Sequence, residues 1–90
     1  MKSNHEKNLG PAVVIEAIDG RAYIGASHRD ALQSMRMSGW GCPEGSLKKY
    51  MAAVARRVLL WNKSPVRTTS VDEFLSDLEA AGIVTVRMMN

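Results

Sequence analysis

Between Ala12 and Met37 the spacing of apolar side chains changes period, and the change marks three elements. The run Ala12-Val13-Val14-Ile15-Glu16-Ala17-Ile18 is short and rich in β-branched residues, which favours a strand. Asp19-Gly20 follows, a pair suited to the positive φ angles of a two-residue type I′ turn. That turn would set Ile18 opposite Arg21, Ala17 opposite Ala22, Glu16 opposite Tyr23 and Ile15 opposite Ile24. One hairpin face would then carry Val13, Ile15, Ala17, Ala22 and Ile24, all apolar. The other would carry Val14, Glu16, Ile18, Arg21 and Tyr23. Past Gly25-Ala26 the period lengthens, so that Ala31, Leu32 and Met35 share a helical stripe with His28 at its middle. Ser27 is the expected N-cap, Asp30 suits the first turn, and Ser38-Gly39 closes the helix.

The segment from Gly39 to Gly45 holds three glycines and Pro43, so it reads as a loop. Ser46 caps the longest helix, in which Leu47, Tyr50, Met51, Val54, Val58 and Trp61 project within an arc of roughly 100°. Lys49, Arg56 and Lys63 lie opposite. Leu59 and Leu60 fall outside the apolar arc, so this helix is either buried on a second side near its end or offers a contact surface. Pro65 excludes helical geometry at Ser64. Ser70-Val71-Asp72-Glu73 reads as a capping box for a third helix, whose buried face would hold Val71, Phe74, Leu75, Leu78 and Ala81. Gly82 stops it, and Ile83–Met88 follows as a strand with Val84, Val86 and Met88 inward and Thr85 and Arg87 outward.

The order β-β-α-α-α-β predicts an α+β fold, a three-stranded antiparallel sheet with three helices on one face. The last strand adds beside the hairpin, with either edge open to it. Residues 1–9 read as a flexible lead-in and 10–90 as a single domain.

Composition narrows the class. A chain of 90 residues is too short for two cores, and 46% hydrophobic content is ordinary for a folded domain. No apolar run approaches the roughly 18 residues of a membrane span, and the polar start lacks a signal-peptide core. A single cysteine, Cys42, fits a reducing compartment, so the expectation is a cytoplasmic protein without a membrane partner. The net charge of +3 leaves nucleic-acid binding open without requiring it.

Candidate chemistry is sparse. His28 at a helix N-terminus would favour its neutral form, and beside Glu16 or Asp30 it could act as base or ligand; a packed histidine is the simpler expectation. Ser27 and His28 therefore form a candidate polar turn site. Cys42 lacks a helix N-terminus or Cys-x-x-Cys pattern to activate it, and His5, His28 and Cys42 lack zinc-ligand spacing. No catalytic residue, metal or cofactor is implied. Trp40 in its glycine-rich loop either folds over the core or, with Leu59 and Leu60, anchors a partner. Lys48, Lys49, Arg56, Lys63 and Arg67 form a basic stripe that could track phosphates, or simply a solvated face. The third helix carries Asp72, Glu73, Asp77 and Glu79, which could neutralise that stripe and which disfavour a winged-helix recognition role. The outer sheet face, with Arg21, Tyr23 and Arg87 around Glu16, offers a single aromatic for base stacking.

Tyr23-Ile24-Gly25-Ala26-Ser27-His28-Arg29-Asp30-Ala31-Leu32 resembles a Tyr-x-Gly-x-(Ser/Thr/Asn)-His-x-x-Ala-(Leu/Ile) pattern. The pattern is associated with small uncharacterised proteins of phages and mobile elements and with short modules of polyvalent phage proteins. The resemblance covers ten residues and implies a phage-derived accessory α+β module, with Gly25, Ser27 and His28 in one strand-to-helix turn. It carries no catalytic assignment. The sequence thus predicts a binding module rather than an enzyme. It would engage a protein partner or a second copy through Trp40, Leu59 and Leu60 or by strand addition at a sheet edge. The alternative is nucleic-acid binding through the basic stripe.

Overall fold

The computed structural model describes residues 12–40 and 45–89. The predicted lead-in and Cys42 lie outside the described residues. Six elements follow in the predicted order: β1 (Ala12–Ala17), β2 (Ala22–Gly25), α1 (His28–Met37), α2 (Leu47–Asn62), α3 (Val71–Ala80) and β3 (Val84–Met89). The sheet is antiparallel with strand order β2-β1-β3, so β1 is central and the last strand takes its free side.

Serine sets where each helix starts. Ser27, Ser46 and Ser70 all have extended backbones, and their hydroxyls accept the N–H of Asp30, Lys49 and Glu73, each at 3.1 Å. Each cap satisfies an N–H that the helix itself leaves unpaired, worth about 1 kcal/mol. The capping box of α3 is only half made. Glu73 bonds the Thr69 hydroxyl and lies 3.4 Å from Arg67, rather than reaching back to the Ser70 N–H.

The hairpin departs from the predicted register by one residue. Val13 pairs with Gly25, Val14 with Ile24, Ile15 with Tyr23 and Glu16 with Ala22. The connection is the three-residue Ile18-Asp19-Gly20, closed by Ala17 N–H donating to the Arg21 carbonyl at 2.7 Å and Gly20 N–H to the Ala17 carbonyl at 2.9 Å. Only Gly20 takes a positive φ there (+94°), whereas a type I′ turn needs two such residues. The shift turns β2 over. Tyr23 faces the core at 8% exposure, and Ile24 faces solvent at 60%.

Val13, Ile15, Ala17, Tyr23 and Val84 from one sheet face join residues of all three helices in one hydrophobic cluster, with Tyr50, Phe74, Leu32 and Met35 among its fully buried members. On β3 the helix layer covers Val84 and Val86 and stops short of Met88, which is exposed, contrary to the predicted alternation. Val14 is buried on the opposite face, between its cross-strand neighbours Ile24 and Arg87.

α2 has 16 residues, roughly 24 Å at 1.5 Å per residue, against 10 residues and roughly 15 Å for α1 and α3. It buries Leu47, Tyr50, Met51, Val54 and Val58. Its last turn is tied to the end of α3 by Asn62, whose side-chain amide donates to the Ala81 carbonyl at 3.0 Å. Trp61, predicted inside the buried arc, is nevertheless exposed.

Candidate binding groove

The last turns of α2 border a concave apolar surface. Ile18 at the hairpin tip, Ile83 before β3, Trp40 after α1, and Val54, Arg57, Val58 and Trp61 of α2 line a groove of about 470 Å³. Ile18 and Trp61 are each 74% exposed at its margins. Trp40 itself is half-buried against the core, and its carbonyl accepts the Tyr50 hydroxyl at 2.9 Å. Burial is the main cause that pushes the Tyr50 hydroxyl above its ordinary range, with nearby Tyr23 adding to the rise and Arg36 opposing it. The hydroxyl therefore stays protonated and donates, which fixes the wall of the groove on Trp40. The guanidinium of Arg57 stands 5.7 Å from the Trp61 ring centroid, one helical turn away.

Of the predicted partner contacts, Trp40 lines this groove and the two leucines do not. Leu60 is 69% exposed on the outer side of α2, and Leu59 (51%) borders a shallower depression with Ala52, Ala55, Arg56, Pro65, Val66 and Thr68. Trp61, Arg57, Ile18 and Ile83 were not read as contacts from sequence. A readable signal existed for two of them: Arg57 and Trp61 are spaced i, i+4 on one flank of the helix.

The basic stripe is only partly available. Arg67 is fully occupied, its Nε and backbone N–H bonding Asp77 Oδ2 at 2.9 and 2.8 Å and a terminal nitrogen bonding Oδ1 at 3.0 Å. That hydrogen bonding holds the Asp77 carboxyl below its ordinary range and raises the arginine. Lys48, Lys49, Arg56 and Lys63 are exposed and make no ion pair with the described residues. The α3 acids do not neutralise them. Asp72 faces His28, Glu73 and Asp77 hold Arg67, and Glu79 accepts the Val86 N–H at 3.0 Å.

Ser27 and His28 do share a strand-to-helix turn, yet they form no reactive pair. The Ser27 hydroxyl is the cap acceptor. His28 is half-exposed rather than packed into the core as expected, and its Nδ1 lies 3.5 Å from Asp72. It borders a small cleft of about 190 Å³ with Asp72, Leu75, Ser76, Glu79 and Val86. Among the described residues no group of three or more His, Cys, Asp or Glu side chains could hold a metal ion.

The sheet offers less than its composition suggested. With Tyr23 turned inward the outer face loses its aromatic, and Arg87 pairs with Glu16 at 3.4 Å. Each free edge has one outward backbone group already engaged. Ser34 donates to the Ile24 carbonyl at 3.2 Å on β2, and Glu79 takes the Val86 N–H on β3. Such side chains blunt strand addition.

No family model, curated protein or solved structure matches the chain. Among the described residues no helix is long and apolar enough to cross a membrane.

Proposed function

We propose that this chain is a cytoplasmic accessory module, phage-derived, that acts by binding a protein rather than by catalysis. The observation that supports this reading is the groove between Trp40 and Trp61, an apolar concavity of about 470 Å³ whose margins leave Ile18 and Trp61 largely exposed. Exposed tryptophan beside a concave apolar surface is a common composition for interface anchors. The resemblance of Tyr23–Leu32 to phage modules supports the origin, and a lone cysteine supports the compartment.

A photoreactive phenylalanine analogue in place of Trp61, in cells carrying the protein, tests the role. The expected result is a discrete protein adduct that disappears when Ile18→Glu is added. Absence of any protein adduct from position 61 overturns it. The same analogue at Arg56 tests nucleic-acid binding, the second reading, which the free Lys48, Lys49, Arg56 and Lys63 favour. Nucleic-acid adducts at 56 with none at 61 would establish that alternative.

A further inference from the structure

We infer that the groove receives an acidic amphipathic protein segment, its apolar side chains against Trp40 and Trp61 and a carboxylate on Arg57; this rests on the protein-binding role proposed above. The lining sets the apolar half. Ile18, Val54, Val58 and Ile83 present aliphatic surface with no hydrogen-bonding side chain, so the occupant must supply apolar groups rather than polar base edges. The volume lies in the range of pockets that enclose ligand-sized groups, roughly 300–1,000 Å³.

The charge sets the other half. Among the described residues Arg57 is the single charged member of the lining, and it has no ion pair with them. Its guanidinium lies near the Trp61 ring, a contact that orders the long side chain and leaves its N–H donors for a planar acceptor. A carboxylate matches that fork in two parallel hydrogen bonds. No acid of α2 offsets Arg57, and the α3 acids are spent on His28, Arg67 and the β3 edge. A ligand in the groove therefore meets positive charge at Arg57.

The same lining disfavours the other occupants. A two-fold contact between copies through this groove would bring Arg57 against its own equivalent. A single-stranded nucleic acid would need a run of aromatic faces for stacking, whereas Ile18, Val54, Val58 and Ile83 make most of this lining aliphatic.

Both tryptophans of the chain line the groove, so intrinsic fluorescence reads its occupancy directly. Four probes separate the chemistries: a 16-residue helical peptide with Leu at helical spacing and Glu elsewhere (length of about four turns), its Leu/Lys counterpart, oligoglutamate, and oligothymidylate. The expected result is a saturable blue shift with the Leu/Glu peptide alone, its affinity weakened roughly tenfold by Arg57→Glu. An equal response to the Leu/Lys peptide overturns the carboxylate contact, and an equal response to oligoglutamate overturns the apolar one. A response to oligothymidylate alone, or none to any probe, overturns the inference outright. A protein adduct at position 61 without a Leu/Glu response would remove only the acidic-segment chemistry. A Leu/Glu response without any adduct would remove the cellular role and keep the chemistry.

Discussion

Tyr23 shows what a one-residue change of register does to a side chain. Facing inward, its hydroxyl is buried and finds no hydrogen-bond partner among the described residues. The neighbouring Tyr50 hydroxyl instead donates to Trp40. A buried hydroxyl without a partner loses its hydration and regains nothing, whereas a paired one returns about 1 kcal/mol. Tyr23→Phe is therefore expected to leave stability unchanged or raise it by up to ~1 kcal/mol, and Tyr50→Phe to lower it by ~1 kcal/mol. Urea unfolding of both variants checks the contrast, and equal losses would contradict it. Gly25 is the opposite case, a residue whose importance lies in what it lacks. A Cβ there would sit 2.2 Å from the Ala31 nitrogen and 2.5 Å from the Asp30 carbonyl carbon, both backbone. β2 thus meets the start of α1 at a distance that only glycine allows, which gives the Tyr-x-Gly-x-Ser-His pattern a packing reason. Gly25→Ala should cost ~3 kcal/mol or more, read as loss of the cooperative melt or a large fall in its midpoint.

At the scale of elements, whatever depended on local chemistry was legible and whatever depended on neighbours was not. Ser27, Ser46 and Ser70 announce helix starts through the hydroxyl itself, and Gly39 and Gly82 close helices with φ of +87° and +78°. The hairpin register failed because Asp19-Gly20 fits two turn types, and both leave β1 with the same inward residues. They differ only in whether Tyr23 or Ile24 faces the core. The exposure of Trp61 was not legible because an apolar arc says which side of a helix is buried, not how far along it the cover extends. The link from Arg67 to α3 is legible in sequence only as a general charge complement between the basic stripe and the α3 acids, since its partners lie six and ten residues away. It gives a pH prediction. Arg67 side-chain hydrogen bonding, then its backbone N–H, lowers the Asp77 carboxyl from an ordinary 3.8. A carboxyl depressed in the folded state stabilises fully above the unfolded value, and that contribution is lost as pH falls through the depressed one. Wild-type melting temperature should therefore drop below about pH 4, and Asp77→Asn should be less stable at pH 7 with a shallower acid decline. Parallel acid profiles would show that the pair does not couple to folding.

For the whole molecule, the separation of charge from apolar surface decides between the two binding roles. The groove opens on the flank of α2 that carries Arg57 and Trp61, whereas Lys49, Arg56 and Lys63 lie opposite the buried face of that helix. A helix with side chains is about 10–12 Å across, and the Debye length at physiological salt is about 8 Å. Charges on the far side are therefore largely screened from a ligand in the groove, so the surfaces can be altered separately. Lys49→Glu with Arg56→Glu reverses two exposed charges that have no ion-pair partner among the described residues, and stability should stay within ~0.5 kcal/mol of wild type. If the groove is the working surface, affinity for the Leu/Glu peptide at 0.15 M salt should change by less than about threefold. If the basic face binds phosphates, the same variant should lose most of its duplex affinity. The slope of log affinity against log salt should then fall by about two, one for each phosphate contact removed. A wild-type protein that shows no salt-dependent duplex binding leaves the groove as the working surface.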